Sequence, residues 1–162
     1  MNLDNGRMRP SGDSRIPKPL ALDDPMKQAG DELAATLQMV EDAWKKAEAK
    51  LALSHVPVDV QVPFREESLE CGGGFTEFLS YRKVKNQWRI CWICSTEVSP
   101  DPDVDHEVEC RPITDCPVGQ RLEMFQHFEK LYNEVMKVTK DYVPKIKEAV
   151  QKFEATLEYI DL

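Results

Sequence analysis

The chain has 162 residues, 41% of them hydrophobic and 31% charged, with a formal net charge of −8. That length suits one domain with a sizeable core, and the acidity excludes wholesale binding along a phosphate backbone, which Lys and Arg must neutralise. No stretch approaches the roughly 18 apolar residues of a membrane span, and no apolar run of the secretory kind opens the sequence. The expectation is therefore a cytoplasmic protein without membrane contact, whose five cysteines stay reduced thiols instead of forming a disulfide framework.

Residues 1–22 carry Pro10, Pro17, Pro19, Gly6 and Gly12 among scattered charges, with too few large apolar side chains to offset the entropy of ordering. They read as a flexible N-terminal arm, and residues 23–162 as a single α+β domain. Arg7, Arg9, Arg15 and Lys18 in the arm are diluted by Asp4 and Asp13.

The first predicted element is a helix. Met26, Leu33, Leu37, Val40, Trp44, Ala47 and Leu51 recur at steps of three and four, which keeps an apolar stripe on one face. Asp23 or Asp24 can cap its free N–H groups, with Pro25 where a missing N–H costs nothing. Glu41 with Lys45 and Asp42 with Lys46 mark the solvated side. The helix should fail between Ser54 and Pro57, because a proline disfavours helical geometry at the residue before it.

From Val56 to Phe64 the period changes to two, predicting a half-buried strand whose Pro57 and Pro63 push it to a sheet edge. A loop follows through Glu66, Glu67 and Glu70 to Gly72, Gly73 and Gly74. Three consecutive glycines can cradle a phosphate, but the Gly-Lys-Ser/Thr ending and the helix of a phosphate loop are missing, so they read as a turn or bulge. Phe75 to Thr96 forms the clearest hairpin, rich in aromatic and β-branched residues, with its turn at Lys85-Asn86-Gln87. Apolar residues on both faces from Ile90 to Cys94 point to a central strand covered on both sides or partly covered by a partner. A second hairpin turning at Ser99 to Asp103 returns as a strand from Val104 to Ile113, completing four antiparallel strands in a meander.

Thr114 or Asp115 then caps the final helical region. Its stripe runs Phe125, Phe128, Tyr132, Val135, Tyr142, Ile146, Ala149 and Phe153, and Pro144 should kink or split it. The expected architecture is a four-stranded antiparallel β-meander packed against two or three long amphipathic helices. The first helix and the region near 116–143 should lie antiparallel, burying Leu37, Val40, Trp44, Phe128, Tyr132 and Val135.

Candidate chemistry is sparse. Cys91 and Cys94 have C-x-x-C spacing, and Cys110 and Cys116 could complete a four-thiolate zinc site with them. Adjacent placement in one strand puts Cys91 and Cys94 on opposite faces, so small buried hydrophobes are the preferred reading, with no metal and no cofactor expected. A thioredoxin-like role needs a helix start that is absent at Cys91. Asp101, Asp103 and Asp105 imitate the opening of a calcium loop, yet His106 and Pro112 replace its Gly and Glu. His55, His106 and His127 have no ligand spacing, although His106 among acids could act as a base.

Charge distribution is more informative. Phe78 to Thr96 contains no acid, while Arg82, Lys83, Lys85 and Arg89 surround Tyr81 and Trp88; Glu97 to Glu109 holds six acids and no Lys or Arg. Basic residues among aromatics can follow a single nucleic-acid strand, or neighbouring strands can simply carry complementary charge. With no convergent catalytic set, the expected role is a non-catalytic protein-interaction module: an adaptor, assembly subunit or inhibitor. Tyr81, Arg82, Lys83, Lys85, Trp88 and Arg89 are its candidate contact residues, and the helical stripes a route to self-association or to a protein partner. The alternative is a nucleic-acid-binding module using the same hairpin, disfavoured by the overall acidity; an enzyme without a recognisable motif ranks third.

Overall fold

The computed structural model describes residues 24–70, 72–97 and 107–160. Three expectations lie outside that range: the flexible arm at 1–22, the turn at Ser99 to Asp103 with its acidic triplet, and the beginning of the return strand up to His106. Within it, helix α1 spans Pro25–Ala52 and begins as its sequence dictates, with the Asp24 carboxylate accepting the Met26 N–H at 3.0 Å and Pro25 in the first turn. It ends just before the expected region, and His55 beyond it takes a left-handed φ of 50°.

Four strands follow: β1 Val60–Ser68, β2 Gly74–Val84, β3 Gln87–Glu97 and β4 Glu107–Pro112. They are antiparallel neighbours in the order β1-β2-β3-β4, the expected meander with β1 at an edge. Strand β1 starts and ends later than its alternation suggested. Val56 is buried but precedes the ladder, and the segment read as a loop continues β1 through Glu66 and Glu67, after a bulge between Pro63 and Arg65. The β2–β3 turn has two residues rather than three: Lys85 and Asn86 both have positive φ, 47° and 66°, the geometry that matches the twist of the flanking strands.

The helices all lie toward one face of the sheet. Val60 and Val62 of β1, Leu79 and Tyr81 of β2, and Ile90 and Trp92 of β3 share a core with Trp44 and Leu51 of α1. A 3-10 turn at Ile113–Asp115 leads to the short helix α2, Val118–Met124, and a second tight turn, Phe125–His127, leads into the long helix α3, Phe128–Ile160. Met124, Leu131 and Val135 from this stretch complete the core, each such side chain contributing about 1.5–3 kcal/mol of transfer free energy. Thr114 and Asp115 sit in the 3-10 turn instead of capping a helix, and α2 starts behind Pro117.

The antiparallel expectation for the two long helices is corrected. Trp44 stacks on Phe125 with centroids 5.0 Å apart, while farther along both chains Leu51 and Leu53 face Tyr132, Val135 and Met136 across a small cleft. Both helices therefore run the same way, opposite to β1, whose Arg65, Phe64 and Pro63 meet Glu123, His127 and Lys130 in turn. The segment from Ile113 to Pro117, a tight turn followed by two extended residues, supplies the additional reversal. Nor does Pro144 split α3, which is helical without interruption through it. The lost bond falls at Lys140, an exposed residue, where water can satisfy the free carbonyl.

Candidate interaction site

The basic hairpin is tied into the fold more tightly than its composition suggested. Pleat alternation turns Tyr81 and Trp88 toward the helices, where the Tyr81 ring is buried and stacks on half-buried Trp88 at 5.2 Å. Burial, with a smaller contribution from Glu48, raises the Tyr81 hydroxyl pKa above its ordinary value. Arg89 gives its Nε to the Glu48 carboxylate at 3.0 Å and an Nη2 hydrogen to Thr114 Oγ1 at 2.8 Å. The same Glu48 oxygen accepts the Ile90 backbone N–H at 2.9 Å. Arg82 pairs with Asp59 at 3.3 Å, and Asp59 also accepts the Lys83 backbone N–H. Of the six candidate contact residues, only the Lys83 and Lys85 side chains remain exposed without an ion pair among the described residues.

The four described candidate zinc ligands do not gather. Cys94 faces the helices; Cys91 and Cys110 lie on the opposite face, flanking Ile93, whose cross-strand partner is Cys110. Cys116 is buried beyond β4, its thiol donating to the Pro112 carbonyl at 3.5 Å. Burial pushes the Cys91 thiol up to about 12, reinforced by Cys110, and the Cys116 thiol up to about 11. Thiols that resist ionisation are poor nucleophiles. Among the described residues, no group of three or more His, Cys, Asp or Glu is placed to hold a metal ion.

The glycines line an open cleft of about 620 Å³ together with Glu66, Glu67 and Glu97, a carboxylate-rich surface that repels phosphate. Gly74 has a steric reason to be glycine, since a Cβ there would lie 2.7 Å from the Glu67 carbonyl oxygen. His127 stacks on Phe64 at 4.8 Å, and His106 lies outside the described residues.

Sequence reasoning missed one buried polar cluster. Glu77, 6% exposed, accepts from Trp92 Nε1 at 2.7 Å and from Arg65 at 2.8 Å, and Arg65 also reaches Glu123. Its four members come from β1, β2, β3 and α2, so no local spacing announces it. The pairing of a buried carboxylate with Arg and an indole N–H makes it a structural clamp between sheet and helix.

Among the described residues, the end of α3 carries a long exposed apolar surface. Every residue from 143 to 160 is exposed, and Val143, Ile146, Val150, Phe153, Leu157 and Ile160, each between 44% and 70% exposed, follow alternating steps of three and four. At about 1.5 Å per residue this stretch is roughly 27 Å long. Met26 and Leu33 make a smaller exposed stripe at the start of α1. No known protein family, curated protein or solved structure matches the chain.

Proposed function

We propose that the protein is a non-catalytic interaction module that docks through the α3 stripe. Soluble monomers seldom leave a continuous line of large apolar side chains in water, and such a line on a helix is the usual footprint of a helical partner. That stripe is the observation carrying the reading. The basic hairpin is secondary, because Arg82 and Arg89 are already engaged by Asp59 and Glu48. The same pairing weakens the nucleic-acid alternative, leaving Lys83 and Lys85 without an ion pair among the described residues where a strand-binding groove needs a continuous basic track. Among the described residues no helix is long and apolar enough to cross a membrane, and the free thiols suit a reducing compartment such as the cytoplasm.

The test compares two paired variants in the native host background. Ile146→Glu with Phe153→Glu should abolish recovery of whatever the wild-type chain retains, itself included, while the buried Trp44, Leu131 and Val135 core keeps its native packing. Lys83→Glu with Lys85→Glu should leave recovery intact. The opposite pattern would transfer the site to the hairpin, and no effect from either pair would refute the reading.

A further inference from the structure

We infer that the occupant of the α3 stripe is the same stripe of a second copy, packed antiparallel. This rests on the proposed role of α3 as the docking element and adds the partner and its direction. The six apolar positions are symmetric about the midpoint between Gln151 and Lys152. Turning a second helix around that point sets Val143 against Ile160, Ile146 against Leu157, and Val150 against Phe153 of the other copy. Each layer then contains two apolar side chains, and the arrangement is isologous, the two-fold form most homodimers take.

The flanking charges select the direction. In heptad terms Val143, Val150 and Leu157 occupy a, and Ile146, Phe153 and Ile160 occupy d. The e positions beside the seam are then Lys147 and Glu154, and the g positions are Tyr142, Ala149 and Thr156. In a parallel pair e faces g of the other chain, which would set Lys147 beside Tyr142 and Glu154 beside Ala149, leaving both charges without a partner. In the antiparallel pair e faces e, so Lys147 of each copy meets Glu154 of the other, giving two symmetric ion pairs, while Ala149 and Thr156 approach closely on the other side. Both charged residues are exposed, and neither has an ion-pair partner among the described residues. Of the other charges on this stretch, Lys152 bonds Glu148 one turn away at 2.7 Å, Lys145 sits over the Tyr142 ring, and Glu158 falls at an outward b position away from the seam. Pro144 falls at an outward b position, where it does not enter the seam.

Sedimentation equilibrium of the full chain tests this. The wild type should be a dimer, and Phe153→Glu should be monomeric with the near-ultraviolet circular dichroism of the buried Trp44 core unchanged. Lys147→Glu and Glu154→Lys singly should each weaken the dimer about tenfold, since two attractive pairs become repulsive, and the double exchange should restore it. A dimer indifferent to the single reversals, or weakened by them without rescue, would overturn the antiparallel packing. A wild type monomeric at hundred-micromolar concentration would overturn self-association altogether. The broader interaction reading would then still stand if the Ile146 and Phe153 changes abolish recovery of a different protein, and fall if they do not.

Discussion

The Glu48 carboxylate of α1 accepts both the Arg89 side chain, at 3.0 Å, and the Ile90 backbone N–H, at 2.9 Å. The last β3–β4 pair is Cys91 with Pro112, so Ile90 lies past the end of β4. Glu48 thus closes a strand edge and ties down Arg89, one of the two arginines of the basic hairpin, in one contact. A hydrogen bond to a charged group contributes about 1.5–3 kcal/mol. Glu48→Ala should therefore lower the unfolding free energy by about 2 kcal/mol in urea titrations, and Glu48→Gln, which keeps an acceptor for the N–H, by about half as much.

Trp44 is wholly buried, stacked on Phe125 and edge-on to Phe128, and its indole N–H has no hydrogen-bond partner among the described residues. Truncation to Ala should cost about 3–5 kcal/mol. Trp44→Phe should cost under about 1.5 kcal/mol, because the lost volume is partly offset by removing an unsatisfied donor. Equal losses in the two variants, measured by denaturant midpoints, would contradict this packing.

The β2–β3 turn has a simple improvement. Lys85 and Asn86 both occupy the left-handed region, at 47° and 66°. Replacing them by Asn and Gly, the preferred pair for this turn, should raise stability by about 1 kcal/mol and raise Tm in calorimetry without altering association through α3.

The raised thiol pKa values set an alkaline limit on stability. The folded chain holds the Cys91 proton up to about pH 12 and the Cys116 proton up to about 11, whereas the unfolded chain releases them near the ordinary value of 9.0. The native state binds more protons in that window, so unfolding free energy should be independent of these thiols below about pH 8.5 and fall as pH rises from about 9 toward 12. Cys91→Ser should flatten the decline. At pH 8, alkylation should reach exposed Cys110 well before Cys91 or Cys116.

Much of this structure is legible where the determinant is local. The Asp24-Pro25 start of α1, the alternation around Val60 and Val62, and the opposite facing of Cys91 and Cys94 all follow from adjacent residues and a known period. Failures came where the determinant is distant. The shared direction of α1 and α3 depends on how five residues after β4 turn the chain, and the burial of Glu77 depends on Arg65, Trp92 and Glu123 arriving from three other elements. The candidate surface was half visible. The α3 stripe was plain from Ile146 and Phe153, but not that the core would stop near Tyr142 and leave the rest in water. For the hairpin, basic composition could not reveal that Glu48 and Asp59 would already hold its two arginines.

Amide hydrogen exchange across residues 143–160 tests the interface most directly. A helix projecting from the domain with nothing packed on it is only marginally stable and exchanges within seconds, since tertiary packing supplies most helical stability. As an interface, the stretch should be protected in the wild type, progressively less so on dilution, and unprotected in the Ile146→Glu, Phe153→Glu variant, while Leu131 and Val135 stay protected in both. Equally fast exchange of 143–160 in wild type and variant, at every concentration and in the presence of host extract, would contradict it.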